Sequence, residues 1–371
     1  MYKNLAAACT AAYLYLSSPI VTPAQGQPAP PLKVGFVYVA PLTPMGWVHQ
    51  HDEGRKAMLA AVNKSVPGAP RVVATTVENV AEGPDAERVI RDLARQGHKL
   101  IVTPSFGYME PTLAVARDFP DVRFESITGY RTAPNVATAN ARYYEGRYLA
   151  GVAAGRMTAT DVAGYVAGFP IPEVLQGINA FTLGMLSVNP KSQVKVIWLQ
   201  TWFDPARERD AATTLMDQGA DVLSFHTASN AVMVAAQERG KLAVAYHSDM
   251  RAVAPQAQIV AVKHEWGAYY TRRAQAVLDG SWRPGNVWGG IREGMIRVGD
   301  FGPAVGAAVR EEVSARQKEI AAGRLHPFHA RQAVQDNNGK VVIPAGRTLT
   351  DAQILAMDWL VQGVVAPPLK R

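Results

Sequence analysis

Apolar runs at 34–39, 72–76, 100–103 and 122–127 alternate with helical patterns at about 50–63, 84–96 and 110–118, and the alternation then begins again. A second set of runs at 162–167, 194–199, 221–225 and 242–246 is interleaved with helical patterns at about 173–188, 206–218 and 229–239. Strands alternating with helices of this length argue for parallel sheets with helices on both faces. The two sets correspond in detail. Gln96-Gly97 precedes the run that leads into Ser105-Phe106-Gly107, and Gln218-Gly219 precedes the run that leads into His226-Thr227-Ala228. In each, a glycine ends a helix in a conformation it tolerates best and the next strand starts at once. The chain is therefore expected to be α/β, with two Rossmann-like lobes and a ligand cleft between them, because domain interfaces favour small-molecule sites.

From 250 onward the chain is expected to revisit both lobes. Ile259–Val262 reads as a short strand, Trp266–Leu278 as an amphipathic helix stopped at Asp279-Gly280, 287–291 and 295–298 as edge strands, and about 304–322 as a helix. The last stretch carries a hairpin signal at Asn337-Asn338-Gly339 and a closing helix at about 350–361. The expected division is an N-terminal lobe of 32–134 plus 251–286, a C-terminal lobe of 135–250 plus 287–330, and an appendage of 331–371 packed on a lobe.

Residues 1–26 belong to a different category. Lys3, an interrupted apolar core and a Ser/Pro/Thr exit, with no acidic residue before Asp52, have the organisation of a secretory signal. The expected location is periplasmic. Cys9, the single cysteine, lies inside that segment, so the mature protein would have no disulfide and no thiol chemistry. Leu5-Ala-Ala-Ala-Cys9 is also loosely like a lipid-attachment sequence, which makes a lipid anchor at Cys9 the alternative to simple release.

The rest of the chain excludes more chemistry than it offers. A net charge of +7 is spread over arginines scattered among Asp and Glu, so no nucleic-acid partner is expected. The dinucleotide, P-loop and nucleophile-elbow motifs are missing after the strands that would have to carry them, so neither an enzyme nor a cofactor is expected. His49 and His51 stand two apart at a helix start and point in different directions, with no third ligand placed by spacing, so no metal is expected.

Aromatic residues gather where the runs end. Trp47 follows 34–39, Phe106 and Tyr108 follow 100–104, and Trp202-Phe203 follow 194–199. The C-terminal ends of parallel strands form the rim at which open α/β sheets bind ligands, and flat side chains there suit a flat ligand. Each has an alternative. Trp47 is a ligand face or a lid residue packed on its own lobe; Phe106 and Tyr108 straddle Gly107 and diverge, so one of them meets ligand. One of Trp202 and Phe203 belongs to the core and the other to the cleft. Asp204-Pro205 reads as a helix start. Asp249 is either a hydrogen-bond acceptor for the ligand or a cap for 250–254.

Several stretches together resemble the basic membrane protein family. They include Gly46-Trp47, Tyr144-Glu-Gly-Arg-Tyr148, Phe169-Pro-Ile-Pro-Glu173, Gly177-Ile-Asn-Ala-Phe181, Gln218-Gly-Ala-Asp221, Glu265-Trp266, His326-Pro-Phe328 and Met357-Asp-Trp359, and the similarity spans about 32–365. The resemblance implies a type I periplasmic-binding-protein fold and a substrate-binding protein of an ABC importer. It further implies a purine held between aromatics of opposite lobes and a membrane permease as partner; a clamp has no need of an oligomer, so a monomer is expected. The implied ligand-binding set is Trp47, Phe106, Tyr108, Trp202, Phe203, Asp249 and Trp266. Nucleoside-binding members are similar to one another in a ribose-binding Asp near the 106–110 turn and a late Lys. Here Glu110 and Lys263 are the nearest matches, which tilts the expectation from a nucleoside towards a free base such as adenine.

Overall fold

The computed structural model describes residues 30–64 and 70–369; the signal-like segment and Cys9 lie outside them. In chain order the first half runs β1 (Leu32–Val37), α1 (Trp47–Asn63), β2 (Val72–Val77), α2 (Pro84–Arg95), β3 (Leu100–Pro104), α3 (Met109–Asp118), β4 (Arg123–Ile127) and β5 (Val136–Ala141). It continues with α4 (Tyr143–Met157), β6 (Val162–Ala167), α5 (Pro172–Leu186), β7 (Gln193–Trp198), α6 (Pro205–Asp217), β8 (Val222–His226), α7 (Ala231–Glu238) and β9 (Leu242–His247). Then come β10 (Gln258–His264), α8 (Gly267–Leu278), β11 (Asn286–Gly289), β12 (Ile296–Gly299) and α9 (Ala307–Ala321). The C-terminal part holds β13 (Val334–Gln335), β14 (Val341–Ile343), α10 (Asp351–Leu355) and β15 (Val364–Val365).

Two large sheets result, in the orders β11-β5-β4-β3-β1-β2 and β12-β10-β9-β8-β6-β7-β15. Every pairing is parallel except β10 with β12. This is the two-lobed α/β fold that the alternation predicts. Local causes are visible at the helix ends. α2 buries Ala86, Val89, Ile90, Leu93 and Ala94, the one-face spacing of an amphipathic helix, and ends at Gly97 with φ 85°. There the Gly97 N–H donates to Ala94 O and His98 N–H to Leu93 O, pairing carbonyls that the helix leaves open. α6 ends in the same way: Gly219 has φ 97° and donates to Met216 O, and Ala220 donates to Leu215 O. Its start is capped as the sequence predicts, with Asp204 Oδ1 accepting from Arg207 N–H at 3.1 Å.

The structure moves the expected lobe boundaries. β5 pairs with β4 and β11 in the first sheet, so the chain leaves the first lobe after residue 141 rather than near 135. β10 pairs with β9 in the second sheet, so the return comes after residue 264 rather than near 250. α8 then packs on α1, where Gly54 and Gly267 allow the close approach: a Cβ on Gly54 would lie 2.8 Å from Trp266 Cβ. The third crossing follows Gly289. The C-terminal segment is also more than an appendage. The expected helix at 350–361 shrinks to α10, which Thr350 and Gln353 start with a reciprocal capping box. Beyond it Asn179 captures the backbone, donating to Trp359 O and accepting from Val361 N–H, both at 2.8 Å, and β15 joins the second sheet beside β7.

Candidate functional site

Strand ends of both sheets converge on one pocket, the usual place for a ligand in open α/β sheets. The first lobe contributes Val39, Trp47, Ser105, Phe106 and Thr128; the second contributes Ile171, Glu173, Trp202, His226, Thr227, Ala228 and His247. Two of these residues hold backbone conformations that side chains disfavour: Thr128 has φ 67° and His247 has φ 72°. A β-branched residue there is an outlier, and such outliers gather at functional sites because surrounding structure must enforce them.

Hydrogen bonds cross between the lobes around the pocket. Gly46 N–H donates to Ser248 Oγ at 3.0 Å, Gln50 Nε2 to His264 O at 2.9 Å, and Asn140 Nδ2 to Glu173 Oε2 at 2.9 Å. Gly46 is the point of closest approach. It has φ 101°, and a Cβ built on it would stand 2.2 Å from Ala228 O of the other lobe.

Trp47 is the first residue of α1. Its Nε1–H donates to Pro104 O at 2.8 Å, and its ring meets His51, His264 and His247 at centroid distances of 4.4, 5.0 and 5.5 Å. Trp202 lies over Gly168, where a Cβ would come within 2.8 Å of the indole, and Phe169 meets it edge-on at 4.8 Å. Trp202 also receives the Ala228 N–H on its carbonyl, which ties it to the pocket wall. Its own Nε1–H is buried without a partner among the described residues.

Behind Trp47 runs a chain of buried hydrogen bonds whose direction follows from the end groups. Thr227 O can only accept, so His247 Nε2 carries the proton of their 3.1 Å bond and Nδ1 is an acceptor. His264 Nε2–H must then donate to His247 Nδ1 at 3.0 Å, leaving His264 Nδ1 to accept from Trp266 Nε1–H at 2.6 Å. The chain requires both imidazoles neutral. Burial, reinforced by the neighbouring imidazoles, holds His247 well below the ordinary histidine value and brings His264 to about 3. Burial also lowers His226, against the pull of Glu173. Its Nε2 stands 3.5 Å from Glu173 Oε1.

Of the residues that the sequence singles out, Trp47, Phe106 and Trp202 line the pocket. The others are placed elsewhere. Tyr108 is fully buried in its own lobe and donates to Val80 O at 2.5 Å, so the divergence about Gly107 sends Phe106 to the cleft and Tyr108 to the core. Phe203 packs on the core of the second lobe. Asp249 Oδ1 accepts from Arg251 N–H, Arg251 Nε and Gln258 Nε2, which is the capping alternative. Trp266 is buried behind Trp47, stacked on His51 and Tyr270. Glu110 pairs with Arg131 and Lys263 with Asp300, and neither reaches the pocket. Glu173, His226, His247 and Thr128 are among the pocket residues that the sequence reading misses. His226 and His247 are the last residues of β8 and β9, so the rule that strand ends bind ligands, applied to polar as well as aromatic side chains, finds them.

Comparison with known proteins agrees with this architecture. Residues 32–324 match the Bmp family, described as ABC transporter substrate-binding protein PnrA-like. A purine-binding protein of Brucella abortus is 48% identical over 335 residues, 90% of this chain and 93% of the relative. A Haloferax volcanii protein provisionally named an ABC transporter glucose-binding protein is 35% identical over 78% of this chain and 72% of its own length. Among solved structures, a solute-binding protein of an ABC transporter system from Aeropyrum pernix superposes with a TM-score of 0.65 at 20% identity, covering 80% of this chain and 93% of the other. One from Conexibacter woesei gives 0.62 at 22% identity over 80% and 98%. These structures have the same two-lobed fold.

Proposed function

The chain belongs to the Bmp family of PnrA-like ABC transporter substrate-binding proteins, and on that premise we propose that it captures a purine, preferring a free, adenine-like base, for an ABC importer. The observation that carries the reading is that Trp47 and Trp202, from opposite lobes, line one small pocket. A flat base between two indoles would gain roughly 1–3 kcal/mol per stacked face, by analogy with base stacking in nucleic-acid binders. The free base is favoured over the nucleoside because Glu110 and Lys263, the nearest matches to a ribose-binding pair, are paired with Arg131 and Asp300 outside the pocket. The 48% identical relative is named for purine binding, which supports the same ligand class.

The mechanism is closure. Ligand entering between open lobes stacks on one aromatic wall, and the bonds from Gly46 to Ser248 and from Asn140 to Glu173 form as the lobes meet. The closed surface is what a permease senses. No chemical step is involved, and adenine incubated with the protein is expected to be recovered unchanged. Export through residues 1–26 would put this cycle outside the cytoplasm, and mass spectrometry of the mature N-terminus decides between removal of that segment and lipidation of Cys9. Among the described residues no helix is long and apolar enough to cross a membrane.

Titration calorimetry of ligand-stripped, refolded protein tests the reading. Adenine, hypoxanthine, adenosine and glucose form the panel, glucose because one relative carries that name. Adenine is expected to bind most tightly. If no base or nucleoside binds below roughly 10 µM, about 7 kcal/mol, the purine reading is wrong.

A further inference from the structure

We propose that Glu173 sets specificity at this site: its carboxylate accepts an N–H from a neutral base and turns away purines that are anions. This rests on the purine reading above and names the residue and the ligand charge that it selects. The argument is an inventory of the pocket's polar groups. Ser105 Oγ gives its proton to Glu82 Oε1 at 2.6 Å, Thr128 Oγ1 to Ile127 O at 2.6 Å, and Thr227 Oγ1 to Glu208 Oε2 at 2.7 Å. Both nitrogens of His247 are committed to Thr227 O and His264. These groups have no proton left to offer a ligand; the other polar groups of the lining are the buried Trp202 Nε1–H, without a partner among the described residues, and His226, whose Nε2 stands 3.5 Å from Glu173 Oε1.

Glu173 differs from them. It is the one carboxylate lining the pocket, its side chain is 15% exposed, and it stands in the first turn of α5. Oε2 accepts from Asn140 of the first lobe, and each carboxylate oxygen has two lone pairs, so accepting capacity remains. Among the described residues no Lys or Arg nitrogen lies within salt-bridge distance of it. Arg147, the buried guanidinium behind this wall, gives Nη1 to Ser224 Oγ and Nη2 to Phe225 O and lies over the face of Tyr246, 3.3 Å from its centroid, so it makes no ion pair with Glu173. A purine N–H therefore finds a charge-assisted acceptor, whereas an anionic purine meets a like charge in a water-poor cleft. Because Asn140 belongs to the other lobe, its bond to the acceptor forms when the cleft closes. Recognition and closure are thus one event.

The test uses the full mature protein, with adenine and urate, an anion at neutral pH, as calorimetric probes. Glu173→Gln keeps the shape and an oxygen for Asn140 but turns the ligand-facing group into a donor. It is expected to lower adenine affinity at least tenfold and leave urate affinity unchanged or improved. Equal losses for both ligands would make Glu173 a structural residue, and unchanged adenine affinity would remove it from the site; either overturns the proposal. A wild-type experiment covers a variant that fails to fold. Xanthine titrated through its own ionisation should bind more weakly as it becomes an anion, while adenine holds constant, and equal affinity for the two xanthine forms overturns the proposal. Wild-type protein that binds no purine at all overturns the ligand assignment itself, and that result is read without any variant.

Discussion

Replacing Gly46 with alanine separates closure from folding. Gly46 has φ 101° and ψ −167°, a region held essentially by glycine alone and costing a side chain roughly 1–3 kcal/mol, and that cost applies to the open and closed states alike. It lowers stability without touching affinity. The second effect belongs to the closed state only. The new Cβ would lie 2.2 Å from Ala228 O, so the lobes must part by roughly 1 Å to reach ordinary contact. Parting by that amount breaks the bonds from Gly46 to Ser248 and from Gln50 to His264 O, each contributing about 1 kcal/mol. A closed state weakened by about 2 kcal/mol lowers ligand affinity about 30-fold. Calorimetry with adenine reads the affinity, and small-angle scattering with and without ligand reads the contraction of the two lobes. The expected variant is folded, melts a few degrees lower, binds at least tenfold more weakly and contracts less. Wild-type affinity together with wild-type contraction would refute the reasoning, because it would mean that the cleft closes without bringing Gly46 against Ala228.

Trp47→Ala removes a stacking face and should weaken adenine binding at least tenfold, whereas Trp47→Phe keeps a face, loses only the bond to Pro104 O and should cost less than about fivefold; equal losses would mark Trp47 as a purely structural residue. Nitrogen-detected NMR should show His247 and His264 as neutral Nε2–H tautomers at about pH 5.5, and a charged ring or an Nδ1–H tautomer at either would break the chain to Thr227. The sign of their linkage is fixed: histidines held neutral by burial leave stability intact above the unfolded value of about 6.5 and drain it as pH falls towards the folded value, about 3 for His264. Glu145 opposes this, pushed up to about 7 mainly by burial, so its contribution is present below about 4.5 and lost as pH rises through 7, and residue-resolved NMR is the cleaner measurement. Glu208→Ala strands the hydroxyls of Thr227 and Ser229, which it binds at 2.7 and 2.6 Å, and should cost about 2–4 kcal/mol in urea unfolding and loosen the pocket wall; a variant as stable as wild type would show that those hydroxyls find other partners.

The strands and helices of the first half-repeat of each lobe are legible in the sequence because their signals are local. Asp204-Pro205 starts a helix and Gly97 and Gly219 stop one by chemistry confined to a few residues. α4 is not legible, since it is buried on nearly every side and shows no polar face. Its partner α5 approaches so closely that a Cβ on Gly151 would stand 2.0 Å from Phe181 O, a constraint that exists only once both helices are placed. The strand at 258–264 is apolar at 259–262 and fits either sheet, so the crossing near 265 could not be read from it. The same division runs through the site. Trp47, Phe106 and Trp202 announce themselves as aromatics at strand ends. Tyr108, Asp249 and Trp266 look equivalent in sequence, but internal partners claim them. The role proposed for Glu173 rests on Asn140 and on the lack of a Lys or Arg partner among the described residues, and both depend on tertiary structure.

The last strands added to each sheet come from far along the chain. The first sheet ends at β11, residues 286–289, and the second at β15, residues 364–365, whose absence would leave β7 as a bare edge. During synthesis, neither lobe can finish its sheet when its own half has emerged. The first must wait for about 150 later residues, counted from β5 to β11, and the second for almost the whole chain. Such long-range closure makes for slow folding with unpaired edges exposed meanwhile. The protein is thus built to remain unfinished until its C-terminal segment arrives, and a chain cut after α9 should be a ready client for holding chaperones.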